Sequence, residues 1–296
     1  MSERVHIASA QSEALIDPLG AELVDWRVGG RRLLWRPDPA IWDKTSPILF
    51  PIVGRVRDGR YRVGTRWYEL GTHGFAAGSA FELAARAQDS ARFVLRDSEA
   101  TRAVYPFPFC LTVDYRIEGS EIEVAMTVEN SGDAPLPYAA GWHPGFVLPF
   151  SGAGRGITRR EGHVVELERE EARDVPQITS AGLFAAARRE LPFDGRRLEI
   201  TDELMAREAL CFLDANSRSV TLKAPDGATI SVEVDNFPHL ALWSRNAGPF
   251  LCIEAWTGHG DPDGYEGDIF AKPSMRILPA GEMARHVARA RFEPAA

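Results

Sequence analysis

The sequence predicts an all-β protein of antiparallel strands with a few short helices, and three observations carry that expectation. Short β-rich runs follow one another at close intervals, the spacing of a sandwich or barrel. Glycine-containing turns separate them, because glycine reaches the positive φ that tight hairpins demand. No βαβ alternation, Gly-x-Gly-x-x-Gly or Walker A motif occurs, which disfavours a nucleotide-binding α/β domain.

In order, strands are expected at residues 5–9, 21–28, 61–63, 66–70, 81–87 and 92–96, with tight turns at Gly29-Gly30 and Gly64-Thr65. The cleanest period of two lies between Cys110 and Asn130. Leu111, Val113, Tyr115 and Ile117 alternate with polar residues, Gly119-Ser120 turns the chain, and Ile122, Val124, Met126 and Val128 alternate again. That pattern puts the apolar side chains on one face of an antiparallel hairpin whose other face is wet. Residues 164–207 are richer in helix formers, notably around 165–171 and 182–188, and are expected to hold short helices or irregular excursions. Strands resume at 219–223, 229–234, 240–243 and 251–254, and a last one runs from 282 to 292.

A chain of 296 residues has room for two ordinary domains or one large β domain. No linker, fixed-period repeat or low-complexity segment divides it, so one domain spanning residues 1–296 is expected. A net charge of −8 argues against a non-specific nucleic-acid surface. The first residues lack the apolar segment of a signal peptide, and no uncharged apolar run is long enough to span a bilayer. A cytoplasmic protein without a membrane or nucleic-acid partner, a monomer or homodimer, is the expectation. Cys110, Cys211 and Cys252 sit apart among apolar neighbours and read as buried free thiols. No closed zinc spacing is present. The acidic stretch from Gly260 to Asp268 lacks EF-hand spacing and reads as a solvated loop.

Glu254 breaks the apolar run Leu251-Cys252-Ile253-Glu254-Ala255-Trp256. Such a carboxylate either points outward from a half-buried strand or is buried, where desolvation raises its pKa into the range useful to a general base. His73 follows a strand in Gly71-Thr72-His73-Gly74-Phe75, and His143 stands between aromatics in Gly141-Trp142-His143-Pro144-Gly145-Phe146. Small neighbours let a ligand approach closely, and aromatics offer a sugar ring an apolar face. A structural imidazole bonded to backbone is the alternative for each. The other histidines read as surface or packing residues.

These segments, with Phe50-Pro51-Ile52-Val53-Gly54-Arg55 before them and the closing Lys272-Pro273-Ser274-Met275-Arg276 stretch, together resemble the aldose 1-epimerase (mutarotase) family, in particular its LacX-like branch. The resemblance covers nearly the whole chain. It implies a galactose mutarotase-like antiparallel β-supersandwich with an open sugar cleft and an isomerase that needs no cofactor or metal. By position, Glu254 corresponds to the general base, His143 to the general acid, and His73 and Arg55 to sugar-contacting partners. Arg55 would offer several directional hydrogen bonds to sugar oxygens. The family's substrate-binding aspartate has no clear counterpart, Glu208 being the acid nearest its place. A sugar-binding glutamine falls on Ala241, with Trp243 two residues on. Glu208 and Trp243 complete the substrate-binding candidates.

The expected function is interconversion of the α and β anomers of an aldose. Two alternatives stand beside it. A hexose-6-phosphate 1-epimerase would need a cationic pocket, for which Arg155, Arg159 and Arg160 are candidates. A non-catalytic sugar-binding or regulatory module would have kept the cleft and lost turnover.

Overall fold

The computed structural model describes residues 3–150, 160–245 and 248–296. Within them the regular secondary structure is nearly all antiparallel strand. A nine-stranded sheet is ordered Arg197–Glu199, Val164–Leu167, Ser219–Lys223, Thr229–Asp235, Met283–Glu293, Glu121–Glu129, Cys110–Glu118, Ser90–Arg96 and Glu82–Arg86. The hairpin expected between Cys110 and Asn130 forms with Ile117 opposite Ile122. Its alternation explains its burial: Leu111, Val113, Tyr115 and Ile117 are inside, and Arg116 and Glu118 lie outside. The last strand, Met283–Glu293, joins the middle of this sheet, paired on both sides.

A second sheet holds Leu210–Phe212, His239–Trp243, Phe250–Trp256, Gly141–Trp142 and Ile48–Leu49 in that order, with Gly145–Val147 also pairing to Phe250–Trp256. One apolar cluster joins the two sheets, from Val5 through Val113, Met126 and Ile253 to Phe292. A four-stranded sheet of residues 5–32 adds Ile7, Ile16, Leu23 and Trp26 to that core.

Phe250–Trp256 is buried along its whole length. With a period of two, Leu251, Ile253 and Ala255 join the main core, while Cys252, Glu254 and Trp256 face the other way. On that second face Cys252 packs with Trp35 and Phe250, and Trp256 with Leu49, Phe184 and Cys211. Glu254 therefore sits on a strand walled on both sides, and the outward-pointing alternative does not apply.

The segment expected to hold short helices is mostly strand: Val164–Leu167, Asp174–Ile178, Phe184–Glu190 and Arg197–Glu199, followed by one helical turn at Asp202–Met205. Pieces this short cannot repay helix nucleation. Val164–Leu167 instead satisfies its backbone between two neighbours in the large sheet, and the alanine-rich Phe184–Glu190 pairs with Asp174–Ile178, tied by Arg188 to Asp174 at 2.8 Å. A short helix at Glu99–Val104, capped where the Thr101 N–H donates to Ser98 Oγ at 3.2 Å, has a signal the strand pattern masks. The three cysteines are free and buried. Among the described residues no helix is long and apolar enough to cross a membrane.

Candidate active site

The second face of the smaller sheet floors a cleft of about 620 Å³. Glu254, His143, His73, Arg55, Trp243 and Glu208 all line it. At its centre Glu254 is 2% exposed, and its Oε2 lies 3.2 Å from His143 Nε2. The Trp256 indole N–H donates to the same oxygen at 3.0 Å. Strand register explains both contacts. Trp142 stands opposite Ala255 and Gly145 opposite Cys252, which brings His143 alongside Glu254, while Trp256 lies two residues along the same face.

Burial pushes the Glu254 carboxyl well above the usual carboxylate range, and the Trp256 N–H opposes that rise. Burial also holds the His143 imidazole well below its ordinary value, with His73 adding to the effect. Three rings surround His143: Trp42 at 5.1 Å, Trp243 at 5.5 Å and His73 at 5.7 Å between centroids. Among the described residues its Nδ1 meets no hydrogen-bond partner. A proton on the ring is therefore best accommodated on Nε2, against Glu254.

His73 is held by a reciprocal pair of bonds. Its N–H donates to Gly54 O at 2.8 Å, and the Gly54 N–H donates to its Nδ1 at 3.0 Å. Accepting at Nδ1 leaves the ring proton on Nε2, and burial with nearby Arg55 lowers the imidazole to about 4. His73 is thus a neutral hydrogen-bond donor. Gly54, at φ +74°, permits this because a Cβ there would meet Gly260 at 2.8 Å.

The acidic loop is not simply solvated, contrary to expectation. Asp261 is buried, its carboxylate 2.8 Å from the Lys272 ammonium and accepting the Arg57 N–H at 2.9 Å. Its own N–H donates to Arg55 O at 2.8 Å. The buried charge is paired, as a charge in that position requires, and the pairing anchors the backbone that carries Arg55. The Arg55 guanidinium donates to Ala181 O at 3.2 Å across the cleft mouth. Glu208 is exposed at the rim.

Of the arginines considered for a phosphate pocket, Arg155 and Arg159 lie outside the described residues. Arg160 is buried and already engaged, bonded to Asp202, to Ser244 Oγ at 2.6 Å and to Gly248 O at 2.7 Å. It holds backbone together and offers no free guanidinium to a ligand.

Sequence reasoning missed Trp42, Lys44, Phe184 and Cys211 as cleft residues. Only tertiary contacts recruit them, and a tryptophan just before the polar stretch 43–46 is the one local signal. Among the described residues no cluster of three or more His, Cys, Asp or Glu is arranged to hold a metal ion.

A profile of the aldose 1-epimerase family matches residues 3–286. The chain belongs to the aldose 1-epimerase family. Protein LacX of Lactococcus lactis subsp. lactis, in its plasmid and chromosomal forms, is 31% identical over 263 residues, spanning 84% of this chain and 86% of LacX. The galactose mutarotase related enzyme of Lactobacillus acidophilus matches with a TM-score of 0.92 at 27% identity, covering 99% of this chain and 98% of that one. Galactose 1-epimerase from Lactobacillus acidophilus NCFM, at 16% identity and a TM-score of 0.74 over 99% and 95% of the two chains, shares the fold. The two packed sheets are thus the galactose mutarotase-like β-sandwich, and this aldose 1-epimerase family member carries His143 and Glu254 on the floor of that sandwich's cleft.

Proposed function

We propose that the protein is a mutarotase that interconverts the α and β anomers of an aldose without a cofactor. The observation that carries this reading is the buried contact between Glu254 Oε2 and His143 Nε2, 3.2 Å apart in a cleft large enough for a pyranose. Family membership supports it.

In the ring-opening step the Glu254 carboxylate takes the proton of the C1 hydroxyl, while the His143 imidazolium gives its Nε2 proton to the ring oxygen and becomes the neutral imidazole. The C1–O5 bond breaks, leaving an aldehyde at C1 and a hydroxyl at C5. Rotation about C1–C2 presents the other face of the carbonyl. His143 then recovers the proton from the C5 hydroxyl as its oxygen attacks C1, and Glu254 returns its proton to O1. Burial strengthens the carboxylate as a base and the imidazolium as an acid, so each is displaced in the direction its half of the transfer needs. His73 Nε2–H and Arg55 donate to sugar oxygens, and Trp42 and Trp243 offer apolar ring faces.

The test is anomer equilibration, followed by polarimetry or exchange NMR over a panel of aldoses and sugar phosphates, with the spontaneous rate subtracted. Glu254→Gln and His143→Asn are each expected to slow catalysis about a hundredfold or more, the usual scale for losing a general acid or base. Wild-type rates in both variants would refute the mechanism.

A further inference from the structure

The cleft is asymmetric about Glu254. Across the smaller sheet Glu254, Ala241 and Cys211 are in register, and His143 stands on the far side of Glu254 in side-chain contact with it. Adjacent strands lie about 4.8 Å apart, so a pyranose seated over Glu254 reaches roughly one strand to either side. On the His143 side it meets ring nitrogens. On the other side the cleft is lined by the Cys211 thiol, Ile178, Ala209 and Phe184, with the fully buried Ala241 methyl packed beneath them. Cys211 turns its weak donor back to Ala209 O at 3.8 Å, and the Trp256 N–H is already committed to Glu254. Glu208 is exposed at the mouth and stands outside this row.

The next step rests on the mutarotase reading. With the ring oxygen against His143 and O1 against Glu254, the remaining ring neighbour of C1 is C2, which extends away from His143 toward Ala241 and Cys211. We infer that this apolar wall receives C2 and selects aldoses that carry no hydroxyl there, the 2-deoxyaldoses. A C2 hydroxyl pressed against the wall leaves water and finds no partner among the side chains of Cys211, Ile178, Ala209 and Phe184, whereas a C2 methylene loses nothing there. Cys211 is then a specificity-determining residue, acting through what its thiol does not offer.

The experiment measures kcat/KM for D-glucose, D-galactose and their 2-deoxy counterparts, each expressed over its own spontaneous rate, in wild type, Cys211→Ser and Cys110→Ser. The 2-deoxy sugars are expected to be preferred about tenfold or more. Cys211→Ser, which sets a hydroxyl donor and acceptor in nearly the same volume, should reduce that preference about fivefold or more. Cys110→Ser, buried in the larger sheet, should leave it unchanged. Catalysis that favours the 2-hydroxy sugars in wild type, or a preference unmoved by Cys211→Ser, overturns the selection while leaving the mutarotase reading intact. Absence of catalysis over the whole aldose panel overturns both.

Discussion

Glu254 and Trp256 are two residues apart on one strand face, and their hydrogen bond opposes the desolvation that burial imposes on the carboxylate. The indole N–H and His143 both meet Oε2, and neither contact uses Oε1. Trp256→Phe keeps a ring against Leu49 and Cys211 while deleting the donor. Without it the Glu254 pKa rises further, so the carboxylate is protonated up to a higher pH. The acid limb of the kcat/KM profile is therefore expected to move to higher pH, with kcat reduced about three- to tenfold. A pH–rate profile of the variant against wild type reads this directly, and an unmoved limb would reject the assigned role of the indole.

At the scale of elements, the loop between the four-stranded sheet and Ile48–Leu49 brings Trp42, Lys44 and Pro47 to the cleft. Its anchor is Glu22, buried at the start of the strand Glu22–Val28, whose Oε1 accepts the N–H groups of Thr45 at 2.6 Å and Ser46 at 3.0 Å. Ser46 Oγ adds a bond to Leu23 O at 2.6 Å. Glu22→Ala strands two buried donors and is expected to cost about 2–5 kcal/mol of stability, lowering Tm. It also frees Trp42 from its place beside His143, lowering kcat/KM. Glu22→Gln keeps a carbonyl oxygen in reach of both donors and should retain most of each property. Thermal unfolding and sugar kinetics on the two variants separate a positional role from a charge effect.

Over the whole molecule, buried neutral histidines set the response to acid. His239 and His286 are both pushed down to about 4 by burial, as is His73 in the cleft. His286 sits between the Tyr138 hydroxyl and Asn236 O, each at 2.9 Å, and His239 Nδ1 accepts the Asp214 N–H at 2.9 Å. The unfolded chain takes up protons at these positions as pH falls through about 6.5, and the folded chain does not until about 4. Their stabilisation is full above the unfolded value and is lost progressively as pH drops between the two. Tm is therefore expected to fall steadily from pH 6.5 toward 4, and His286→Gln should flatten part of that slope. A melting series in constant ionic strength checks both.

Alternation and glycine turns determined, from the sequence alone, that the chain is all-β, and that Cys110 to Glu129 is one wet-sided hairpin, because a period of two has a single geometric meaning. The pattern around Glu254 singled out a carboxylate on an apolar strand and left open whether it pointed outward or inward, which the packing on both faces of that strand decided. What local sequence could not decide was which strands pair and which face each neighbour meets. Helix-forming residues at 182–188 became strand because a partner at Asp174–Ile178 supplied the backbone bonds. Asp261 became a buried anchor only because Lys272 folds back onto it. The juxtaposition of His143, Glu254, Ala241 and Cys211 is likewise a product of register across strands distant in sequence. Hydrophobic periodicity is written in adjacent residues, whereas desolvation and proton transfer depend on atoms that only long-range packing brings together.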